Sequence, residues 1–249
     1  MKKIMILLLA AALLLTACGG EPASSSRPAV DPADQEAIRA IYAAALEKTM
    51  AAEFVEYTDI TQFIQKGDRH ILTTNVKITC PDSKKSSSDT VVWYQQLISE
   101  KKEITGYWIK GYGYLDYISA KESGRIKFEI TASGFLTAYE LPAAWSLTNL
   151  SFSADGMSTE GECTITGNCL PYNANILSML GAELIPDTFT VVLNNDGYIT
   201  SYIREMSEIS GNFDELYTIS DTRTYHNLTV PFTIELPEDL DSYKLYAPE

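Results

Sequence analysis

Residues 54–79 read FVEYTDITQFIQKGDRHILTTNVKIT, and this stretch decides the class of fold. Phe54 to Ile64 is dense in β-branched and aromatic residues, whose side chains suit a pleated surface. Lys66-Gly67-Asp68 carries turn chemistry. From Arg69 the chain resumes a two-residue period: Ile71, Thr73, Asn75, Lys77 and Thr79 alternate with Leu72, Thr74, Val76 and Ile78. The stretch is a long antiparallel hairpin.

Upstream, Asp31-Pro32 opens a helix read over 32–53. Asp31 serves as cap and Pro32 as first helical residue, followed by one apolar stripe of Ile38, Ile41, Tyr42, Ala45, Leu46, Thr49 and Met50. Downstream, strands are expected over 90–99, 104–110, 112–119 (turning at Gly111) and 125–131. The apolar segment 132–147, broken by Pro142, reads as a short helical insert. Strands return over 150–153 and 157–166, a short helix is expected over 173–180, and Asn194-Asn195-Asp196-Gly197 makes a hairpin turn between 189–193 and 198–204. A last strand is read over 223–235 with Pro231 inside it, as at an edge or bulge. No β-α-β rhythm exists, which excludes a doubly wound parallel sheet. The expected class is α+β: a large curved antiparallel sheet, with the N-terminal helix packed on its concave side and a short helical insert.

The chain has 249 residues, 45% hydrophobic and 21% charged, which excludes wholesale disorder. Its formal charge of −14 repels phosphate backbones and argues against nucleic acid as a partner. Two histidines, His70 and His226, leave little for histidine-based metal or catalytic sites. No G-x-S-x-G, Walker loop or dinucleotide fingerprint is present. A thiol–histidine couple would need Cys163 or Cys169 beside His226. The expectation is a non-enzyme with no metal and no cofactor.

The leader carries an address. Met1-Lys2-Lys3 precedes the unbroken apolar run Ile4–Leu15, shorter than the ~20 residues a spanning helix needs but suited to a secretory signal. Leu15-Thr16-Ala17-Cys18 then resembles the lipobox of bacterial lipoproteins. The resemblance implies cleavage after Ala17, lipidation of Cys18, and a membrane-anchored, extracytoplasmic protein held by its buried acyl carbons. The organisation expected is a signal peptide (1–17), a flexible tether rich in Gly, Pro and Ser (18–31), and one folded domain (32–249). Of the remaining cysteines, Cys163 and Cys169 flank a short segment and are the first candidates if a disulfide forms. The alternative is three buried reduced thiols, Cys80 included.

The order of elements resembles the LolA/LppX-like lipoprotein superfamily. The features that carry the likeness are the opening amphipathic helix; Tyr107-Trp108-Ile109-Lys110-Gly111-Tyr112-Gly113-Tyr114; the hairpin Val191 to Ile199; and the closing Tyr225-His226-Asn227 through Ile234 to Glu238. The resemblance implies a half-open barrel with helices lining or lidding an apolar cavity, and in some members a lipid cargo. Fifteen tyrosines, eight phenylalanines and three tryptophans supply a wall for such a cavity. The candidate ligand-binding residues are Trp93, Tyr107, Trp108, Tyr112, Tyr114, Phe135 and Trp145, with the insert as a lid. The expected function is binding of a hydrophobic or lipid-like ligand; the alternative is a cell-surface protein-interaction module without a cavity.

Overall fold

A computed structural model of the chain describes residues 31, 33–65, 68–79, 92–99, 102–109, 111–119, 121–129, 141–154, 162–170, 186–211 and 215–246. Among the described residues, one helix, α1 (Gln35–Met50), precedes twelve strands: β1 (Phe54–Gln65), β2 (Asp68–Thr79), β3 (Val92–Ser99), β4 (Lys102–Ile109), β5 (Tyr112–Ser119), β6 (Ser123–Glu129), β7 (Thr148–Ala154), β8 (Cys163–Cys169), β9 (Asp187–Leu193), β10 (Ile199–Gly211), β11 (Glu215–Asn227) and β12 (Lys244–Leu245). They form a single open sheet in the order β12-β6-β5-β4-β3-β2-β1-β11-β10-β9-β8-β7. Every pairing is antiparallel except the two-residue β12, which lies parallel to β6. The chain therefore builds one wing of the sheet as a meander from β1 to β6. It builds the other wing from β7 back to β11, and joins them where β11 docks on β1. Among the described strands, that seam and the two-residue β12–β6 pairing are the contacts that join distant parts of the chain.

The helix starts later than its sequence suggests. Asp34 is the cap: its carboxylate accepts from the amides of Glu36 and Ala37 at 3.1 and 3.0 Å. Asp31 instead accepts from the Ala33 amide. Ile38, Tyr42, Ala45 and Thr49 are the buried stripe, at the spacing of one helical face.

Among the described residues, the contacts that fasten α1 lie on the β7–β10 wing and the segment leading into it. At its N-terminal end the Gln35 side-chain amide takes both a donor and an acceptor from the backbone of Leu150 in β7, at 2.6 and 2.5 Å, as a neighbouring strand would. Arg39 donates to the Leu147 carbonyl. The Tyr42 ring meets Phe189 of β9 edge-on at 6.0 Å, and its hydroxyl donates to the Pro142 carbonyl at 2.7 Å. Thr49, fully buried, accepts from the Ile199 amide at the start of β10. Lys48 donates to the carbonyl of Asp196 in the β9–β10 turn and lies over the Tyr198 ring. On the same wing, Ile165, Val191, Leu193 and Ile199 are 0–1% exposed.

Three hairpin features match their sequence signals. Gly111 and Gly197 hold φ of +83° and +80°, the left-handed region their turns demand. Asn194 accepts from the Tyr198 amide across the second turn. The expected strand through Pro231 does not form. β11 stops at Asn227, whose side chain accepts from the amides of Thr229 and Val230 and donates to the Val230 carbonyl, turning the chain off the sheet.

Candidate functional site

Strand registers sort the side chains into two faces. The helix-bearing face carries Val55, Tyr57, Asp59 and Thr61 of β1, then Val76 and Ile78 of β2, Trp108 and Ile104 of β4, Leu115 and Tyr117 of β5, and Ile126 and Phe128 of β6. Across the seam it continues with Tyr225, Arg223 and Asp221 of β11, Tyr202 and Arg204 of β10, and Phe189 and Val191 of β9. Trp108 is 1% exposed, whereas Leu72, Ile104, Leu115, Ile126 and Phe128 are only half-buried. Beyond the reach of the helix contacts, this face is thus an apolar surface left partly open.

Glycines shape it. Gly113 sits opposite Phe128, and a Cβ there would lie 2.5 Å from the ring; Gly124 sits opposite Tyr117, at 2.6 Å from its hydroxyl. The outer end of each ring occupies the place where a side chain on the neighbouring strand would otherwise stand.

At the seam the face turns polar. Arg223 forks onto Asp59 through Nε and Nη2, at 2.7 and 2.8 Å. Its guanidinium also lies 4.3 Å from the Tyr57 ring centroid and 6.0 Å from that of Tyr225. Burial works against the Arg223 charge, but the Asp59 bonds and the two phenols outweigh it and hold its pKa well above the ordinary value. One register step on, Asp221 lies between Thr61 and Arg204. Burial pushes the Asp221 carboxyl up, against a hydrogen bond from Thr61. Arg204 donates through Nε to Asp187 at 2.8 Å and through Nη2 to the Leu170 carbonyl at 3.0 Å. Tyr202, 7% exposed, completes the group. Its hydroxyl has no hydrogen-bond partner among the described residues, and burial drives its pKa upward. None of these charged residues stood out in the sequence. The available signal was parity: Asp59 and Arg223 share the inward phase of Tyr57 and Tyr225.

The sequence-selected residues do not gather at one place. Trp108 lies on the helix-bearing face. Tyr107, Tyr112 and Tyr114 occupy the opposite face. There Lys127 lies 4.4 Å from the Tyr112 ring, and Tyr114 is covered edge-on at 5.4 Å by Tyr243 of the C-terminal segment. That segment crosses the back of the sheet: Phe232 packs on Phe54, Tyr243 donates to Asp116 at 2.8 Å, and Arg125 bridges Asp116 and Asp239. Trp93 is placed opposite Trp108 in the β3–β4 register, and its side chain is outside the described part. Trp145, in a 3-10 turn over Ala144–Ser146, is 78% exposed. Phe135, most of the expected insert, and Cys18 lie outside the described residues.

The expected Cys163–Cys169 disulfide is corrected. The two residues are the opposite ends of β8, on the same face and six residues apart, which at ~3.3 Å per residue is ~20 Å, far past bridging distance. Both are buried thiols, as in the alternative. Burial pushes the Cys169 thiol up, so it stays protonated and unreactive near neutrality. No thiol–histidine couple forms either: His226 contacts Thr58 on the opposite face, at 2.8 Å.

No protein-family model matches the chain, and no curated protein matches it. Solved structures do. The lipoprotein LppX of Mycobacterium tuberculosis aligns at 13% identity and a TM-score of 0.48, covering 80% of this chain and 99% of LppX. LprF from Mycobacterium bovis aligns at 11% and 0.47, covering 81% and 97%. An outer membrane lipoprotein-sorting protein domain from Vibrio parahaemolyticus aligns at 10% and 0.27, covering 83% and 96%. The resemblance to LolA/LppX-like lipoproteins is one of fold. No residue role is carried across from these alignments.

Proposed function

We propose that the protein is a membrane-anchored, extracytoplasmic lipoprotein that binds a hydrophobic or lipid-like ligand without chemical conversion. The single observation that carries this reading is the half-buried apolar surface that Leu72 of β2, Ile104 of β4, Leu115 of β5 and Ile126 and Phe128 of β6 present on the helix-bearing face, beside the buried Trp108. Contiguous apolar surface of this kind is retained where something greasy covers it. The leader supports the anchor: cleavage before Cys18 and its acylation would place the folded body on the outer side of a membrane. Of the residues selected from sequence, Trp108 is the one retained as ligand-binding; Tyr107, Tyr112 and Tyr114 belong to the back of the sheet.

Native mass spectrometry of protein extracted in mild detergent tests the ligand. A bound lipid-sized mass, or uptake of a fluorescent acyl probe that Trp108→Ala weakens, is expected. A protein that arrives empty and takes up no probe overturns the reading. Cys18→Ser should move the protein from the membrane to the soluble fraction. A second reading, protein contact, is favoured by one feature: Ile64, Ile71, Ile98 and Ile118 are 41–60% exposed at one end of the opposite face. An empty protein in which charge substitutions at these isoleucines abolish a co-purifying partner would establish it instead.

A further inference from the structure

The polar group at the β1–β11 seam is more than the sheet requires. Asp59 already satisfies Arg223, and Asp187 already satisfies Arg204. Asp221 is then a third carboxylate on two guanidinium groups, half-buried, with no ion pair of its own among the described residues. Directly across the strand register from Arg223, Tyr202 keeps a hydroxyl that is more than nine-tenths buried and unpartnered among the described residues. An unmade bond at a buried hydroxyl is a standing cost that native proteins rarely keep without use. The two residues lie on the same face, on adjacent strands, where the open apolar wing meets the helix-covered wing.

We propose that Asp221 and Tyr202 form a head-group subsite for the ligand of that face, selecting amphiphiles whose head donates hydrogen bonds, an amine or a polyol, over those with an anionic head. The inference rests on the ligand-binding reading above and adds the class of ligand. The chemistry follows from the charge count. A carboxylate accepts hydrogen bonds and attracts cations. Both guanidinium groups are held by their own carboxylates and are poor partners for an incoming anion. A neutral or cationic donor meets Asp221 and Tyr202 without displacing either pair. An anionic head would face an excess of negative charge in a partly desolvated place. The acyl chain would then lie over β2–β6, toward Trp108.

The test compares three twelve-carbon competitors (dodecylamine, 1-dodecanoylglycerol and lauric acid) for displacement of a fluorescent acyl probe from the full-length chain in nanodiscs. The amine and the monoacylglycerol should displace the probe at about tenfold lower concentration than laurate, the scale of one charge-assisted hydrogen bond. Asp221→Asn should bring laurate level with the amine. Tyr202→Phe, which deletes only the hydroxyl, should weaken the monoacylglycerol selectively while circular dichroism stays unchanged. Laurate competing as well as the other two in the parent chain overturns the inference while leaving ligand binding intact. So does a ranking unchanged in both folded variants. A chain that binds neither probe nor competitor overturns both readings together.

Discussion

The two wings of the sheet solve the same problem differently. On the β7–β10 wing the helix supplies the second layer. Ile165, Val191, Leu193 and Ile199 are buried on that wing, and the helix is fastened at both ends by Gln35 on Leu150 and Thr49 on Ile199. On the β2–β6 wing the same face carries Leu115, Ile126 and Phe128 half-buried, with the outer ends of rings set against glycines. That wing gains its order from behind, where the C-terminal segment straps Tyr243 onto Tyr114 and adds β12 to the β6 edge. One wing is stabilised by what it buries and the other by what crosses its back. The front of the second wing is thereby left half-buried among the described residues.

The largest expected difference between the wings comes from truncation. Tyr42→Ala should cost about 3–5 kcal/mol, because it opens a cavity under the helix and strands the Pro142 carbonyl. Leu115→Ala on the open wing should cost under about 2 kcal/mol. Urea midpoints measure both, and equal losses would erase the distinction between a sealed and an open wing.

The seam between the wings comes next. Arg223→Met alone should cost about 1–3 kcal/mol by leaving the half-buried Asp59 carboxylate without its partner, whereas Arg223→Met with Asp59→Leu should recover most of the loss. A double variant as unstable as the single one would mean that the pair itself, rather than the orphaned charge, holds β1 to β11.

Gly113→Ala sharpens the account of the open wing. With its Cβ 2.5 Å from the Phe128 ring, it should destabilise by about 1–3 kcal/mol, and adding Phe128→Leu should relieve it. A harmless Gly113→Ala would show that the ring is not pinned across β5.

The smallest effect is a pH dependence. Asp221 has a folded pKa raised by burial above its ordinary value of 3.8. The folded chain therefore holds a proton that the unfolded chain releases. Stability falls as pH rises from that ordinary value through the raised one, and the penalty is complete above it. Asp221→Asn should remove this slope and raise the urea midpoint at neutral pH. An unchanged slope would place Asp221 in contact with solvent rather than in the seam.

Much of this architecture is legible along the chain. The alternation in 69–79, the Asn194–Gly197 turn, Gly111 and the helical stripe each depend on a few neighbouring residues and form, although the stripe is narrower than read: Ile38, Tyr42, Ala45 and Thr49 are buried, Ile41 and Leu46 half-buried, and Met50 exposed. The helix start moved because two aspartates, Asp31 and Asp34, offered similar caps and only the hydrogen bonds to Glu36 and Ala37 separate them. The strand through Pro231 failed because the Asn227 turn outcompeted an already interrupted ladder. The aromatic residues of 107–114 read together as candidates for one wall, yet alternation sends Trp108 to one face and Tyr107, Tyr112 and Tyr114 to the other.

What the sequence determines here is local: a two-residue period, a helical stripe and left-handed turns are set by sterics and hydrogen bonds within a few residues. What only the tertiary structure decides is which inward residues meet. Asp59 and Arg223 are 164 positions apart, and only the closure of β11 on β1 makes them a pair and leaves Asp221 and Tyr202 beside it. Charge and burial act through space, so the polar seam in an otherwise apolar face exists only once the two wings are joined.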